Sequence, residues 1–138
     1  MPCRLLYGYD KEVAFWVAEQ LGVSGWLGDY RAIGVIRGGK LIAGVVYYAY
    51  RHPNIEMAVA AIDPQWATRK NLKAFFSYPF IELGCKRVTG LVDTDNRHAR
   101  KIDERLGFVH EATLKDAHPN GDAEIYRMLK TECRWIDG

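Results

Sequence analysis

The spacing of apolar residues divides the start of the chain into a short strand and a helix. Residues 4–9 form an apolar run of strand length. From Val13 onward, apolar residues recur three and four positions apart, which is the spacing of one face of an α-helix. Asp10 is expected to cap this helix through its carboxylate, Gly22 to end it, and residues 23–29 to form a loop.

Three strand patterns follow in close succession. Residues 30–37, 41–51 and 55–62 are rich in β-branched and other apolar side chains, as strands usually are. The pair Gly38-Gly39 joins the first two, and both glycines tolerate the positive φ that a tight hairpin requires. Because turns this short join only antiparallel neighbours, the pattern predicts an antiparallel meander.

The pattern then changes to a helix and back to a strand. Residues 68–83 have helical spacing, residues 86–93 form a further strand, and Gly84 separates the two. Pro79 lies inside the helical pattern and predicts a kink, because proline lacks an amide proton. A unit of this length predicts a right-handed crossover that makes 55–62 and 86–93 parallel neighbours. The residues predicted to face inward are Leu72, Phe75, Phe76, Phe80 and Leu83.

The last third of the chain predicts one more helix and a hairpin. Asn96 or Asp95 is expected to cap the helix, and Gly107 to end it. Residues 108–115 and 124–131 are predicted strands around a Pro-Asn-Gly-Asp turn. The residues predicted to share the inner helix face are Ala99, Ile102 and Leu106.

The order of these elements, βαβββαβαββ, predicts one α/β (α+β) domain over residues 1–138. Its sheet is expected to be mixed and mostly antiparallel, with helices on both faces. At 138 residues with 49% hydrophobic residues, the chain can bury a core without a metal or a disulfide. The net charge is +2 and basic residues are interleaved with acids, so no nucleic-acid partner is expected.

The three cysteines include no close pair, which favours a reducing compartment and a role for each cysteine as a small buried hydrophobic residue.

No apolar run approaches the roughly 20 residues needed to cross a bilayer, so no membrane partner is expected and the predicted location is the cytoplasm. The four histidines have no metal-ligand spacing, and no nucleophile or zinc motif is present. We therefore expect no metal, and the chemistry must come from backbone groups, a cofactor or a few single side chains.

Two segments resemble a known family. The sequence NRHA at residues 96–99, followed by IDERLGF at 102–108, resembles the signature of the GNAT N-acetyltransferases. Residues 68–88 resemble the long helix and following strand of that family, and the similarity runs from about residue 30 to residue 135. The nearest branch is the one that includes the ribosomal-protein N-terminal acetyltransferases. The resemblance implies a GNAT-like sheet in which parallel strands four and five splay apart.

The resemblance also implies acetyl-CoA as cosubstrate, with its pantetheine arm between the fourth and fifth strands. Ala58, Val59 and Ala60 on the fourth strand are the residues expected to contact it, because small side chains allow close approach to the backbone. The alternative is that these small residues merely fit beneath a helix. Asn96 is expected to contact the pantetheine arm as well as cap its helix, and Arg100 to reach either a phosphate or solvent.

The CoA diphosphate is expected at the start of the helix 68–83, where free amides and the helix dipole favour an anion. Trp66 and Thr68 stand where the family has glycines that let the backbone wrap the phosphates. Arg69 and Lys70 can offset part of that loss by direct charge contacts; an ordinary basic first turn is the alternative. The residues implied in this part of the site are Trp66, Ala67, Thr68, Arg69, Lys70 and Asn71.

Glu56 is the candidate general base, because the family often places a glutamate at this position of strand four; a solvated strand residue is the alternative. The family often uses a tyrosine four residues before the glycine of Leu-Gly-Phe to protonate the leaving thiolate. Here that position is Asp103. A carboxyl with an ordinary pKa of about 4 is a poor acid at neutral pH, so Asp103 is predicted to be a surface residue.

Two functions remain open from the sequence. The first is an acetyl-CoA-dependent N-acetyltransferase that acts on a primary amine of a protein, peptide or small molecule. The second is a catalytically degenerate GNAT-fold protein that acts as a binding module, which the altered diphosphate loop and the missing tyrosine favour. Loops 23–29 and 117–122, together with the first helix, are expected to shape the acceptor pocket, and a homodimer is compatible with the family.

Overall fold

Within residues 2–26 and 28–137, which a computed structural model describes, seven strands and three α-helices follow the predicted order. The strands are β1 (Cys3–Leu6), β2 (Tyr30–Arg37), β3 (Lys40–Arg51), β4 (Asn54–Ala61), β5 (Arg87–Asp93), β6 (Val109–His118) and β7 (Gly121–Leu129). The helices are α1 (Asp10–Leu21), α2 (Arg69–Ser77) and α3 (Arg97–Leu106). No helix in these ranges is long and apolar enough to span a membrane.

All the strands lie in one sheet, in the order β1-β2-β3-β4-β5-β7-β6. Neighbours are antiparallel except β4 and β5, which are parallel as predicted. These two strands pair only between residues 54–56 and 87–89. In the described residues, β4 continues to Ala61 and β5 to Asp93 without pairing with each other, so the predicted splay is confirmed.

The first strand and helix differ from the prediction at their junction. β1 ends at Leu6, and Asp10 is the first residue of α1 rather than its cap, since the N-cap residue is Tyr9. The Asp10 carboxylate instead accepts from the Ala32 amide at 3.3 Å and pairs with Arg31 at 3.4 Å. Asp10 therefore ties the start of α1 to β2.

The predicted helix 68–83 is divided in two. The Thr68 side chain caps α2 by accepting from the Asn71 amide at 3.1 Å. The helix changes at Tyr78–Glu82 into a π-helical turn, closed by Leu83 N donating to Tyr78 O at 3.0 Å. Pro79 lies in that turn, so the predicted kink takes the form of a wider turn. The inward residues are buried as predicted except Leu83, which is partly buried.

In the final hairpin, both strands extend closer to the turn than the sequence predicts. β6 runs to His118 and β7 begins at Gly121, so only two residues form the loop. At its far end β7 stops at Leu129, whose amide donates to the Glu132 carboxylate at 2.9 Å in a 3-10 turn. Of the cysteines, Cys85 and Cys133 are buried.

The helices cover both faces of the sheet, as predicted. α1 packs on one face against Ala32, Val46 and Ala60, whereas α2 packs on the other face against a larger core that includes Val45 and Tyr47. Neighbouring residues of β3 thus belong to different cores, because successive side chains of a strand point to opposite faces.

Gly44 sets how closely α1 approaches the sheet. A Cβ at this position would lie 2.7 Å from Val17 Cγ2 and 2.9 Å from Val13 Cγ1. Gly44→Ala is therefore expected to lower the free energy of unfolding by about 1–3 kcal/mol, measured by urea denaturation. In a Val17→Ala background the same substitution should cost less, because the nearest methyl is gone. An equal cost in both backgrounds would show that the contact with Val17 is not its cause.

Candidate functional site

A cleft of about 420 Å³ opens where β4 and β5 diverge. Four regions of the chain enclose it: the end of α1 with its following loop, the two diverging strands with neighbouring β3, one face of α3, and the β6–β7 hairpin. The residues that line the cleft include Leu21, Val23, Gly25, Trp26, Tyr48, Ala49, residues 56–59, residues 91–93, Asn96, Ala99, Asp103, Ala117, His118 and Ala123. The two loops predicted to shape the pocket are both represented, although Leu27 of the first lies outside the described residues.

Glu56, the predicted base, lies at the point of divergence. It is the last β4 residue of the parallel ladder, opposite Thr89, and it is half-buried. Tyr48, its partner on β3, forms a side-chain hydrogen bond with it. Burial raises the pKa of Glu56 above its ordinary value, and the hydrogen bond from Tyr48 opposes part of that rise. The pKa of Tyr48 is raised as well, first by burial and then by Glu56, so its hydroxyl stays protonated and donates.

The small residues of β4 do not all face the cleft. Ala58 and Val59 line it. Ala60 is only 3% exposed and belongs to the core cluster beneath α1. For Ala60, the alternative of a small residue beneath a helix is therefore the one the structure supports.

Helix α3 presents Ala99 and Asp103 to the cleft, together with its N-cap residue Asn96. Asn96 lines it and caps the helix, with its side-chain oxygen accepting from the Ala99 amide at 3.1 Å. Arg100 takes a direction that the sequence did not suggest. Its guanidinium donates to the Tyr126 hydroxyl at 3.1 Å and to the Thr94 carbonyl at 3.2 Å. Arg100 is thus held by the protein itself, toward β7, rather than extended to a phosphate or to solvent.

The segment predicted to bind the CoA diphosphate contains two buried side chains and four exposed residues. The Trp66 ring is buried against Phe75, with ring centroids 5.9 Å apart, so its side chain serves the core. Asn71 is buried too, and its Nδ2 donates to the Trp66 carbonyl at 3.0 Å, which fixes the turn before α2. These two side chains do not present binding groups to solvent, because packing and this hydrogen bond occupy them.

The four residues between them are exposed: Ala67, Thr68, Arg69 and Lys70. The amides of Arg69 and Lys70 precede the first intrahelical hydrogen bond of α2, which Leu72 N donates to Thr68 O at 2.9 Å. They are therefore free to bind an anion at the positive end of the helix dipole. A second depression, lined by Ala67, Thr68 and Lys70 together with residues 2–5, adjoins this helix start.

Asp103 is not a surface residue, contrary to the sequence prediction. It is 7% exposed and lines the cleft one helical turn beyond Ala99. Burial, with a further contribution from Glu104, raises the pKa of Asp103 to about 8. Helical spacing from Asn96 and Ala99 was a signal for its inward position, and it was outweighed by the expectation that a carboxylate remains in water.

Sequence reasoning also missed two pairs of side chains. Trp26 lies against Tyr48, with ring centroids 4.9 Å apart, and its Nε1 donates to the Ala14 carbonyl at 3.0 Å. His118 and Asp93 form a pair at 2.7 Å across the other end of the cleft. Both pairs join residues far apart in sequence, so local pattern contained no signal for them.

The titratable side chains that line the cleft are mostly carboxyls. Glu56, Asp93 and Asp103 line it, and none of the described residues that line it is a lysine or an arginine. No group of three or more metal-ligating side chains occurs in the described residues. These carboxyl groups can therefore attract and position a cationic group, such as a protonated amine, and exchange protons with it.

Solved structures share this architecture. The spermidine N-acetyltransferase SpeG of Vibrio cholerae, in a point-mutant form, has a TM-score of 0.72 at 16% identity, covering 98% of this chain and 96% of that chain. A GCN5-related N-acetyltransferase from Brucella melitensis has a TM-score of 0.66 at 22% identity, covering 75% of this chain and 52% of that chain.

A third structure has been assigned as a ribosomal-protein-serine acetyltransferase of Vibrio cholerae. Its TM-score is 0.64 at 15% identity, and it covers 73% of this chain and 64% of that chain. No protein-family model matches the chain, and no curated protein matches it by sequence. At these identities the likeness is one of fold: the chain has the fold of the GNAT acetyltransferases.

Proposed function

We propose that this chain is an acetyl-CoA-dependent N-acetyltransferase that acts on a primary amine. The observation that carries the proposal is the cleft at the splay of β4 and β5, lined by a half-buried glutamate and a buried carboxyl. The GNAT fold places an acyltransferase among the first functions to consider, and the cleft supplies groups suited to the chemistry.

The β4 edge supports the binding of the pantetheine arm. From Met57 to Ala60 this edge has no β5 partner in the described residues, so its backbone groups can pair with the amides of an extended ligand. Ala58 keeps the approach open, and Asn96, the N-cap residue of α3, lines the same cleft. The exposed start of α2, with Arg69 and Lys70, supplies amides and charges for the diphosphate. Acetyl-CoA would supply the thioester, whose carbonyl carbon accepts the amine.

Glu56 is proposed as the group that takes the proton from the amine. An alkylamine has a pKa of about 10.4, so a neutral amine costs roughly 4–5 kcal/mol near pH 7. A carboxylate at the cleft can accept that proton directly or through water as the nitrogen attacks. The acidic lining also favours a cationic acceptor before the proton is removed.

Binding of acetyl-CoA is the first test. Millimolar acetyl-CoA should raise the melting temperature, since a ligand bound only to the folded state stabilises it by RT ln(1 + [L]/Kd). The double variant Arg69→Ala, Lys70→Ala should weaken binding by about tenfold or more through lost charge-assisted contacts. Lys73→Ala is the matched control, because it removes an exposed charge one turn further along α2.

A second candidate function is a binding module that has lost the chemistry. Trp66 and Thr68 stand where glycines would let the backbone wrap a diphosphate, and the Trp66 ring packs in the core. The Arg100 guanidinium is hydrogen-bonded within the protein. Absence of any shift with acetyl-CoA in the wild-type protein would favour this alternative. A shift, followed by release of CoA thiol with spermidine or with a peptide bearing a free N-terminus, would support the transferase.

A further inference from the structure

One wall of the cleft is formed by aromatic and apolar side chains. Val23 and Trp26 of the loop after α1 line it, next to Tyr48 of β3. The centroids of the Trp26 and Tyr48 rings are 4.9 Å apart, and the ring planes are inclined at 48°. Leu91 of β5 lines the same cleft and is 44% exposed, so its side chain is available to a ligand. This lining favours an acceptor with an apolar body.

The polar groups of this wall are already engaged within the protein. The Trp26 Nε1 donates to the Ala14 carbonyl at 3.0 Å, and the Tyr48 hydroxyl donates to Glu56. Both residues therefore present their rings to a ligand rather than a free donor. An acceptor that brings amide groups to this wall, such as a peptide, would lose water without gaining a partner from these two side chains. An aromatic ring has no such groups, and its contact with other rings is favourable.

Tyr48 connects this wall to the candidate base. Its hydroxyl bonds to Glu56, while its ring lies against Trp26. The Glu56 carboxylate and the Trp26 ring therefore lie on either side of one tyrosine. An ammonium beside Glu56 is thus within reach of a ring beside Trp26 through a short alkyl chain.

The charges of the cleft suit an acceptor with a single ammonium. Glu56 is half-buried, and its bond with Tyr48 leaves a second carboxylate oxygen for an amine. Asp103 is buried, and because burial raises its pKa to about 8, it is mostly uncharged at neutral pH. The Asp93 Oδ1 lies 2.7 Å from the His118 Nδ1, so a second ammonium would have to compete with this imidazole. One carboxylate therefore remains readily available to the acceptor.

We propose that the acceptor is a primary monoamine that carries an aromatic ring on a short alkyl chain. This proposal rests on the proposed function, since it names the substrate class of the same site. Trp26 determines the specificity by packing against the ring of the acceptor, and Glu56 receives the ammonium. His118 disfavours polyamines by occupying Asp93.

The first measurement compares three amines as acceptors for the wild-type protein. Release of CoA thiol from acetyl-CoA is followed with 2-phenylethylamine, with ethylamine, which lacks the ring, and with spermidine, which has several amines. We expect kcat/KM for 2-phenylethylamine to exceed the value for each of the other two amines by about tenfold or more. Turnover of spermidine or ethylamine as efficient as that of 2-phenylethylamine would overturn the proposal, while the transferase would stand.

The variant Trp26→Ala tests the aromatic wall. It should lower kcat/KM for 2-phenylethylamine about tenfold more than it lowers kcat/KM for ethylamine, chiefly by raising KM. Trp26→Phe should recover most of that difference, because it restores a ring. Phe15→Ala is the matched control, since Phe15 is 67% exposed on α1 and lies outside the described lining of the cleft. Equal losses for the two amines would show that Trp26 only supports the structure, and its assignment would be overturned.

The variant His118→Ala tests the charge argument. With the imidazole removed, Asp93 becomes available to a second ammonium. The kcat/KM for spermidine should then rise about tenfold relative to that for 2-phenylethylamine. Adding Asp93→Asn to this variant should cancel the rise. If His118→Ala leaves the ratio unchanged, this pair does not exclude polyamines.

A thermal shift with acetyl-CoA separates failure of this proposal from failure of the proposed function. If the wild type does not turn over 2-phenylethylamine, the aromatic monoamine is overturned as the acceptor. The transferase then stands if spermidine or a peptide with a free N-terminus releases CoA thiol. It is overturned as well if the wild type shows no thermal shift with acetyl-CoA and releases no thiol.

Discussion

Replacing Glu56 by glutamine is expected to lower the rate of acetyl transfer at neutral pH by about 10²- to 10⁴-fold. Glutamine preserves the shape of the side chain and its bond with Tyr48 but cannot accept a proton. Acetyl-CoA affinity should change little, because the loss falls on the chemical step. Initial rates with a saturating amine acceptor, together with thermal shifts, measure the two effects separately.

The pH dependence of this variant gives a second check. Raising the pH should restore part of the rate, because more of the amine then arrives neutral and needs no base. In the wild type, lowering the pH should reduce the rate as Glu56 is protonated, and burial places that limb above the ordinary value of 4.5. Glu12→Gln, at an exposed position of α1, is the matched control. Near-native turnover of Glu56→Gln at pH 7 would show that Glu56 is not the base. Catalysis would then depend on positioning of the substrates and on polarisation of the thioester by backbone groups.

The fold could be predicted from sequence because its signals are local. The Gly38-Gly39 pair fixes one hairpin, and the change from strand to helical spacing after residue 62 requires a crossover. The parallel pairing of β4 and β5 follows from that crossover. Boundaries were less accurate where a side chain bonds across the sheet: Asp10 resembles a cap in sequence but binds β2.

The site was predicted less completely because its chemistry depends on tertiary packing. Arg100 and Asp103 lie one turn apart on α3, yet the first is held by Tyr126 and the second is buried at the cleft wall. Neither outcome follows from residue type. Arginine and aspartate side chains are usually exposed to solvent, so both residues would be expected there. Here β7 and Gly90 of β5 lie close enough to hold them within the protein. Glu56 was a candidate because the family resemblance implies a glutamate at this position of strand four, and the structure places it where β4 and β5 diverge.

Stability should depend on pH through Asp103. Its pKa is about 8 in the folded protein and 3.8 for the ordinary group, so between those values the folded state retains a proton that the unfolded chain has lost. The unfolded state therefore binds fewer protons, and stability falls as pH rises through this window. Each unit of difference corresponds to 1.36 kcal/mol, so the full effect is at most on the order of 5 kcal/mol.

Asp103→Asn removes this dependence, because an amide does not titrate. The difference in unfolding free energy between Asp103→Asn and wild type should thus increase in favour of the variant from about pH 4 to about pH 8 and then level off. Urea denaturation at several pH values measures it, and other titrating groups cancel in the difference because both proteins contain them. Asp95→Asn should run parallel to wild type, since its carboxyl is exposed. If Asp103→Asn also ran parallel to wild type, Asp103 would be ionised within the folded protein, and its burial would then require a compensating cation at the cleft wall.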